Sequence, residues 1–270
     1  MTGLWAWLDG LGDRRELAFW IGVSVLLHTL GALLAWRFRR PLTGRLGAGL
    51  SRLRHHWTGP LLLEAIRLAY FLLLPYLIIV RRGVLELQTL GLLGPADPGE
   101  SILGWGGEWI VAAGRMATVG LAGALALWWT WSNFKSRISD PAFRAGDPGP
   151  ILRETVYLEI HWAFYRAAPL VWLASPAASS NQWLSWAVLA GFAIVGLEAA
   201  LDPRAWAALR DPAQASRPLV NGLLCWLSAL GFALTRNLWL IAAVHAALAW
   251  GSMRWLLTTA DRRRPAADTG

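Results

Sequence analysis

Residues 17–36 read LAFWIGVSVLLHTLGALLAW. The run holds no aspartate, glutamate, lysine or arginine, and its length matches the roughly 20 apolar residues an α-helix needs to cross a bilayer core. Apolar-dominated runs recur at Pro60–Val80, Glu108–Trp131, Leu152–Ala174, Trp183–Leu201, Leu219–Thr235 and Asn237–Leu257. The pattern predicts an all-α polytopic transmembrane helical bundle of about seven spans. Leu219–Thr235 is short and the turn Thr235–Asn237 is tight, so the last two runs read either as full spans or as one helical hairpin.

Composition points the same way. The 270-residue chain is 56% hydrophobic and only 16% charged, and its mean hydropathy is +0.41. That is too apolar for an ordinary soluble core and excludes disordered or collagen-like sequence. The single cysteine, Cys225, excludes an intrachain disulfide, and no Cys/His cluster has zinc-finger spacing. There is no phosphate-binding glycine loop, no GxSxG and no internal repeat.

The net charge of +8 comes in short arginine runs between the apolar segments, which suits loops facing anionic lipid rather than nucleic acid. One set of loops holds Arg37, Arg39, Arg40, Arg45, Arg52, Arg54, Lys135, Arg137, Arg144, Arg204, Arg210, Arg217, Arg262, Arg263 and Arg264. The alternate set holds Arg14, Arg15, Arg81, Arg82 and Arg236. The positive-inside rule then predicts a cell-membrane protein with its amino terminus outside and its carboxyl terminus cytoplasmic. Tryptophans such as Trp36, Trp57, Trp109, Trp131, Trp183, Trp239 and Trp255 fall near span ends, as an interfacial belt requires. Residues 1–16 read as an interfacial segment, with Leu4, Trp5, Trp7, Leu8 and Leu11 on its apolar side rather than as a signal peptide. Residues 17–257 form the transmembrane domain, and 258–270 read as a disordered basic tail.

Charges inside a span are costly and raise a functional hypothesis by default. The run starting at Leu152 is the outlier, with Arg153, Glu154, Glu159, His161 and Arg166. At about 100° per residue, Glu154, His161 and Tyr165 share one stripe, while Glu159 and Arg166 share another roughly 120–160° away. Glu159 and His161 therefore should not point at one substrate atom. Other runs offer partners: Glu64 and Arg67 at i,i+3, Arg115, Glu198 near a helix end, and His245 deeper in the last run. Bundle-interior ion pairs account for the arginines equally well, and His28 reads as a satisfied or interfacial histidine. Small residues at four-residue spacing (Gly120 and Ala124; Ala243, Ala247 and Gly251) read as helix-packing surfaces. Two histidines and a glutamate suffice in number for a metal but lack a recognised spacing, so no metal or cofactor is assigned.

Three short motifs then resemble those of the CPBP family, the CAAX-protease and bacteriocin-processing intramembrane proteins. His161-Trp-Ala-Phe-Tyr-Arg166 is similar to the family's Glu-Glu-x-x-x-Arg, with His161 and Trp162 in place of the glutamates. Gly191-Phe192-Ala-Ile-Val-Gly196 resembles Phe-x-x-x-His with Gly196 at the histidine position. Val244-His245-Ala-Ala-Leu-Ala249 resembles His-x-x-x-Asn with the histidine kept and Ala249 at the asparagine position. Upstream, Arg81–Leu92 resembles the Arg-Gly-leading segment before that family's core, so the likeness spans Arg81 to Gly251. Of the polar motif positions, Arg166 and His245 match.

The resemblance implies a CPBP-like core and water-mediated peptide hydrolysis. Glu159 or His161 would then act as base, His245 would polarise water or the carbonyl, and Arg166 would orient the carboxylate. Tryptophan cannot serve as a base, so the departures imply a rewired site or a non-proteolytic member. The rival readings are a membrane scaffold or assembly factor and a small-solute transporter. The partners implied are membrane lipids and a membrane protein or peptide substrate.

Overall fold

The computed structural model describes residues 10–38, 56, 58–82, 90–92, 102–134, 148–173, 181–211 and 214–261. Among these residues the structure is almost entirely helical, with no strand. The helices are α1 (Asp13–Arg37), α2 (Thr58–Leu68), α3 (Leu74–Arg82), α4 (Ile102–Phe134), α5 (Pro148–Leu173), α6 (Asn181–Leu201), α7 (Pro203–Arg210), α8 (Ser216–Thr235) and α9 (Leu238–Asp261). Over their described residues, the seven apolar runs are helical except at Asn237. Among the described residues, four helical stretches are long and apolar enough to cross a membrane: Asp13–Arg37, Thr58–Ile78, Gly106–Thr130 and Ser216–Thr235. A fifth is added if Trp186–Leu201 and Pro203–Arg210, bent by 77° at Asp202, count as one broken span. The segment expected at residues 1–16 falls mostly outside the described residues. Of the expected tail, Asp261 and the residues just before it continue α9, and 262–270 lie outside.

The chain divides into two compact units, Met1–Leu90 with Ile160–Ala207, and Gly91–Glu159 with Ala208–Gly270. In the first, α1 packs on α6. Leu17, Ile21, Ser24 and Ala32 form the buried stripe of α1 at helical spacing, while Leu26, Leu27, Leu30, Leu33 and Leu34 are exposed. A helix apolar on both faces is suited to lipid on its outer side. The indole of Trp172 donates to the Arg14 carbonyl at 3.1 Å and Tyr165 reaches Ser24, so α5 runs antiparallel to α1.

Between α2 and α3 the helix widens to i→i+5 hydrogen bonding over Ala69–Leu73. Pro75 supplies the reason: it has no N–H for the Phe71 carbonyl, and its ring crowds that carbonyl. On α5, Pro169 likewise has no N–H to give the Tyr165 carbonyl. Gly191 on α6 sits against this spot, where an added Cβ would lie 2.7 Å from the Arg166 Cα and 3.0 Å from the Tyr165 carbonyl oxygen. Only glycine lets α6 approach that backbone so closely.

In the second unit α4, α8 and α9 pack on one another. Ala112, Met116, Val119 and Leu127 make the buried stripe of α4, opposite exposed Ile110, Leu121, Leu125 and Trp128. Gly120 faces the Val244 side chain and Gly231 faces Met116, so these glycines serve close packing inside the unit. The α8–α9 connection is tight, as the sequence indicates. Arg236 closes α8 in the left-handed region at φ 47°, and Asn237 caps α9 by accepting from the Leu240 N–H at 3.1 Å. Gly91, at φ 73°, lies so near this turn that a Cβ would come within 2.7 Å of the Arg236 carbonyl oxygen. Its own carbonyl accepts from Leu238 N–H at 2.8 Å.

Candidate functional site

The four residues singled out by sequence, Glu159, His161, Arg166 and His245, are all buried, each 5% exposed or less. Glu159 and His245 enter one polar cluster and His161 another, one in each unit. In the second unit, Oε1 of Glu159 (α5) lies 2.7 Å from Nδ1 of His245 (α9), and the Ser228 hydroxyl (α8) donates to Oε2 at 2.7 Å. Serine and histidine thus both bind the carboxylate. That is not the order of a nucleophilic triad, in which histidine stands between nucleophile and acid.

In the first unit the centre is Glu198, one turn before the end of α6. Its Oε1 accepts from the Tyr70 hydroxyl at 2.8 Å and from the Tyr165 hydroxyl, and its Oε2 lies 3.1 Å from Nε2 of His161. His28 on α1 brings Nδ1 to 3.8 Å from Oε1. Ser24 joins from α1: the Tyr165 hydroxyl is 2.9 Å from its Oγ, and the Tyr70 hydroxyl 3.3 Å. The widened turn Ala69–Leu73 carries Tyr70 into this group, and such turns recur at functional positions.

The His161 ring lies among those of Tyr70, Phe71 and Tyr165, with centroid separations of 5.0, 5.2 and 4.4 Å. Because Nε2 faces the carboxylate, it carries the ring proton in the neutral form, leaving a lone pair on Nδ1. Among the described residues that buried Nδ1 has no hydrogen-bond partner.

The structure therefore brings Glu159 together with His245, and gives His161 a different carboxylate, Glu198. Tyr165 joins His161 at one site, as their common stripe indicates. Arg166 is buried on α5 beside Gly191. The i,i+3 pair of Glu64 and Arg67 is present at 4.0 Å. Arg115 instead donates to the Leu234 carbonyl at 3.1 Å, satisfying the carboxyl end of α8.

Sequence reasoning underrated Glu198 and His28 and missed Ser24, Tyr70 and Ser228. For Tyr70 a signal existed in its position five residues before Pro75. For the two serines none did, since lone hydroxyls are common in apolar helices. Among the described residues, no three or more His, Cys, Asp or Glu side chains are grouped so as to hold a metal ion. Comparison with known proteins returns no matching family model, no matching curated protein and no matching solved structure.

Proposed function

We propose that the chain is a seven-span membrane protein on a CPBP-like core, amino terminus outside and carboxyl terminus cytoplasmic, whose former peptidase site has become a fixed polar core. The observation that carries this reading is the direct 2.7 Å contact between Glu159 and His245, with Ser228 on the other carboxylate oxygen. A hydrolytic base must present a lone pair to an attacking water, and a contact this short leaves no room for water between the two groups. The pair instead ties α5 to α9, and Ser228 ties α5 to α8. The orientation rests on the arginine asymmetry of the loops, and the span count on the seven helical apolar runs.

The test measures stability and peptide cleavage together, on detergent-purified full-length chain with a panel of fluorogenic transmembrane peptides. A structural pair predicts no cleavage by the native chain. It also predicts that Glu159→Leu or His245→Leu alone lowers the unfolding temperature and that the double variant recovers most of the loss. Cleavage that disappears in His245→Ala while stability is kept would overturn the reading and restore the hydrolase, with Glu159 or His161 as base and Arg166 as its orienting partner.

One observation favours a second reading, an assembly factor. The α9 stripe of Ala243, Ala247 and Gly251 is exposed, and nothing lies within 4 Å of a Cβ at Gly251. Gly120, by contrast, is spent on Val244 within the unit. Loss of a co-purifying membrane protein in Ala247→Leu, with Gly251→Leu as companion, would support it.

A further inference from the structure

Among the described residues, the Glu198 cluster carries a charge that its neighbours do not balance. The carboxylate's partners among the described residues are Tyr70, Tyr165, His161 and His28. Neither lysine nor arginine is among them. Ser24 and the two tyrosines contribute neutral hydroxyls. At the α6–α7 junction, Asp202 and Arg204 stand four and six residues beyond Glu198. They are bonded to each other at 2.8 Å and cancel to first order. The permanent charge of the group is therefore one negative, buried in a unit whose outer helix faces are apolar. A lone buried carboxylate is strongly disfavoured, and an imidazolium beside it, with hydroxyls on the remaining lone pairs, offsets much of the penalty.

Two imidazoles are in position to provide one. His161 is 1% exposed and lies with Nε2 toward Glu198, while its Nδ1 has no hydrogen-bond partner among the described residues. The His28 side chain is 23% exposed and lies at the outer end of the group. It is the more exposed of the two imidazoles.

We propose that Ser24, His28, Tyr70, His161, Tyr165 and Glu198 form a binding site for one exchangeable proton, loaded through His28 and carried by the two imidazoles beside the Glu198 carboxylate. Loading forms one N–H bond on an imidazole and breaks none in the protein. In the loaded state the cluster is neutral and draws α1, the widened turn, α5 and α6 together through ion-pair and hydroxyl contacts. In the empty state both rings are neutral and Glu198 keeps an unbalanced charge. The site stands apart from the Glu159 reading, since none of its residues belongs to that pair.

The test is nitrogen NMR of the full chain, labelled at histidine and held in phosphatidylcholine nanodiscs, over the pH range in which it stays folded. His28 and His161 should pass from imidazolium to neutral in one common step. Glu198→Gln should shift that step to lower pH by more than about one unit, a tenfold loss of proton affinity. If Glu198→Gln does not fold, His28→Gln carries the test, because its ring is partly exposed. There the imidazolium share of His161 should rise, as it no longer divides the proton. Rings that stay neutral throughout would overturn the proposal. So would a step unchanged in Glu198→Gln, or a His161 share unchanged in His28→Gln.

Discussion

Glu159 and Glu198 are both buried carboxylates facing histidine, yet they differ in their company. Glu159 is bonded to the Ser228 hydroxyl and the His245 imidazole, whereas among the described residues Glu198 is met by two phenols and two imidazoles. Removing one partner of a buried pair leaves the other charge or dipole uncompensated, at a cost of about 3–5 kcal/mol. His245→Ala should therefore destabilise strongly, by that order, in denaturant or thermal unfolding of the full chain. Ser228→Ala should cost less, about 1–3 kcal/mol, since it strips one hydrogen bond from the carboxylate and leaves the imidazole in place. The ionisable residues of α5 were legible in the sequence because charge is conspicuous in an apolar run. Their partners were not. A serine can return its hydroxyl to a carbonyl of its own helix and costs little in a membrane, so its presence at position 24 or 228 announces nothing. Tyrosine in a span reads first as an interfacial anchor, and only the folded chain brings Tyr70 to Glu198.

Single helices impose their own constraints on the clusters. The widened turn before Pro75 and the close approach at Gly191 fix where Tyr70 and Glu198 stand. Gly191→Ala would place its Cβ 2.7 Å from the Arg166 Cα, a backbone atom with no freedom to yield. Overpacking of this kind costs about 1–3 kcal/mol, and the variant should melt lower. Gly196→Ala on the same helix meets nothing within 4 Å, and with its better helix propensity should be neutral or stabilising by up to about 1 kcal/mol. Comparing the two melting temperatures separates packing from propensity.

At the α6–α7 bend, Asp202 accepts from the Arg204 backbone N–H at 2.8 Å and from its guanidinium at 2.8 Å. Burial by itself would raise the Asp202 carboxyl, but the Arg204 hydrogen bonds and charge hold it below the usual carboxylate range. A depressed folded value means the contribution is whole above the unfolded carboxylate range and is lost as pH falls through the folded one. Asp202→Asn should flatten that acidic loss in a stability–pH profile. The cap and bend could be inferred from Asp202-Pro203, but the acidic residue's pairing with Arg204 depends on the turn geometry the bend creates.

At the scale of the molecule, the hydropathy of the chain foretold an all-helical protein with several membrane-length segments, and the helix boundaries fall within a few residues of the apolar runs. What periodicity could not supply was the division into two units, because α5 contributes Glu159 to one and Ile160 onward to the other. A helix that serves both units has no single buried stripe, and its charges looked like the makings of one site. The proposed topology predicts that a cysteine placed at position 263 reacts with an impermeant maleimide only from the cytoplasmic side of sealed vesicles. The native Cys225 is buried and should stay silent in that assay.

The spacing of His161 and Tyr165 on α5 has one more implication. The two stand one turn apart on one face and both reach Glu198 within the first unit, so α5 tolerates neither an inserted nor a deleted residue between them. Such a change would turn Tyr165 by about 100° relative to His161 and undo their joint register with Glu198. Relatives of this chain should therefore be recognisable without overall sequence similarity. Their signature in this unit is a histidine with a tyrosine one turn on and a glutamate near the end of the next helix.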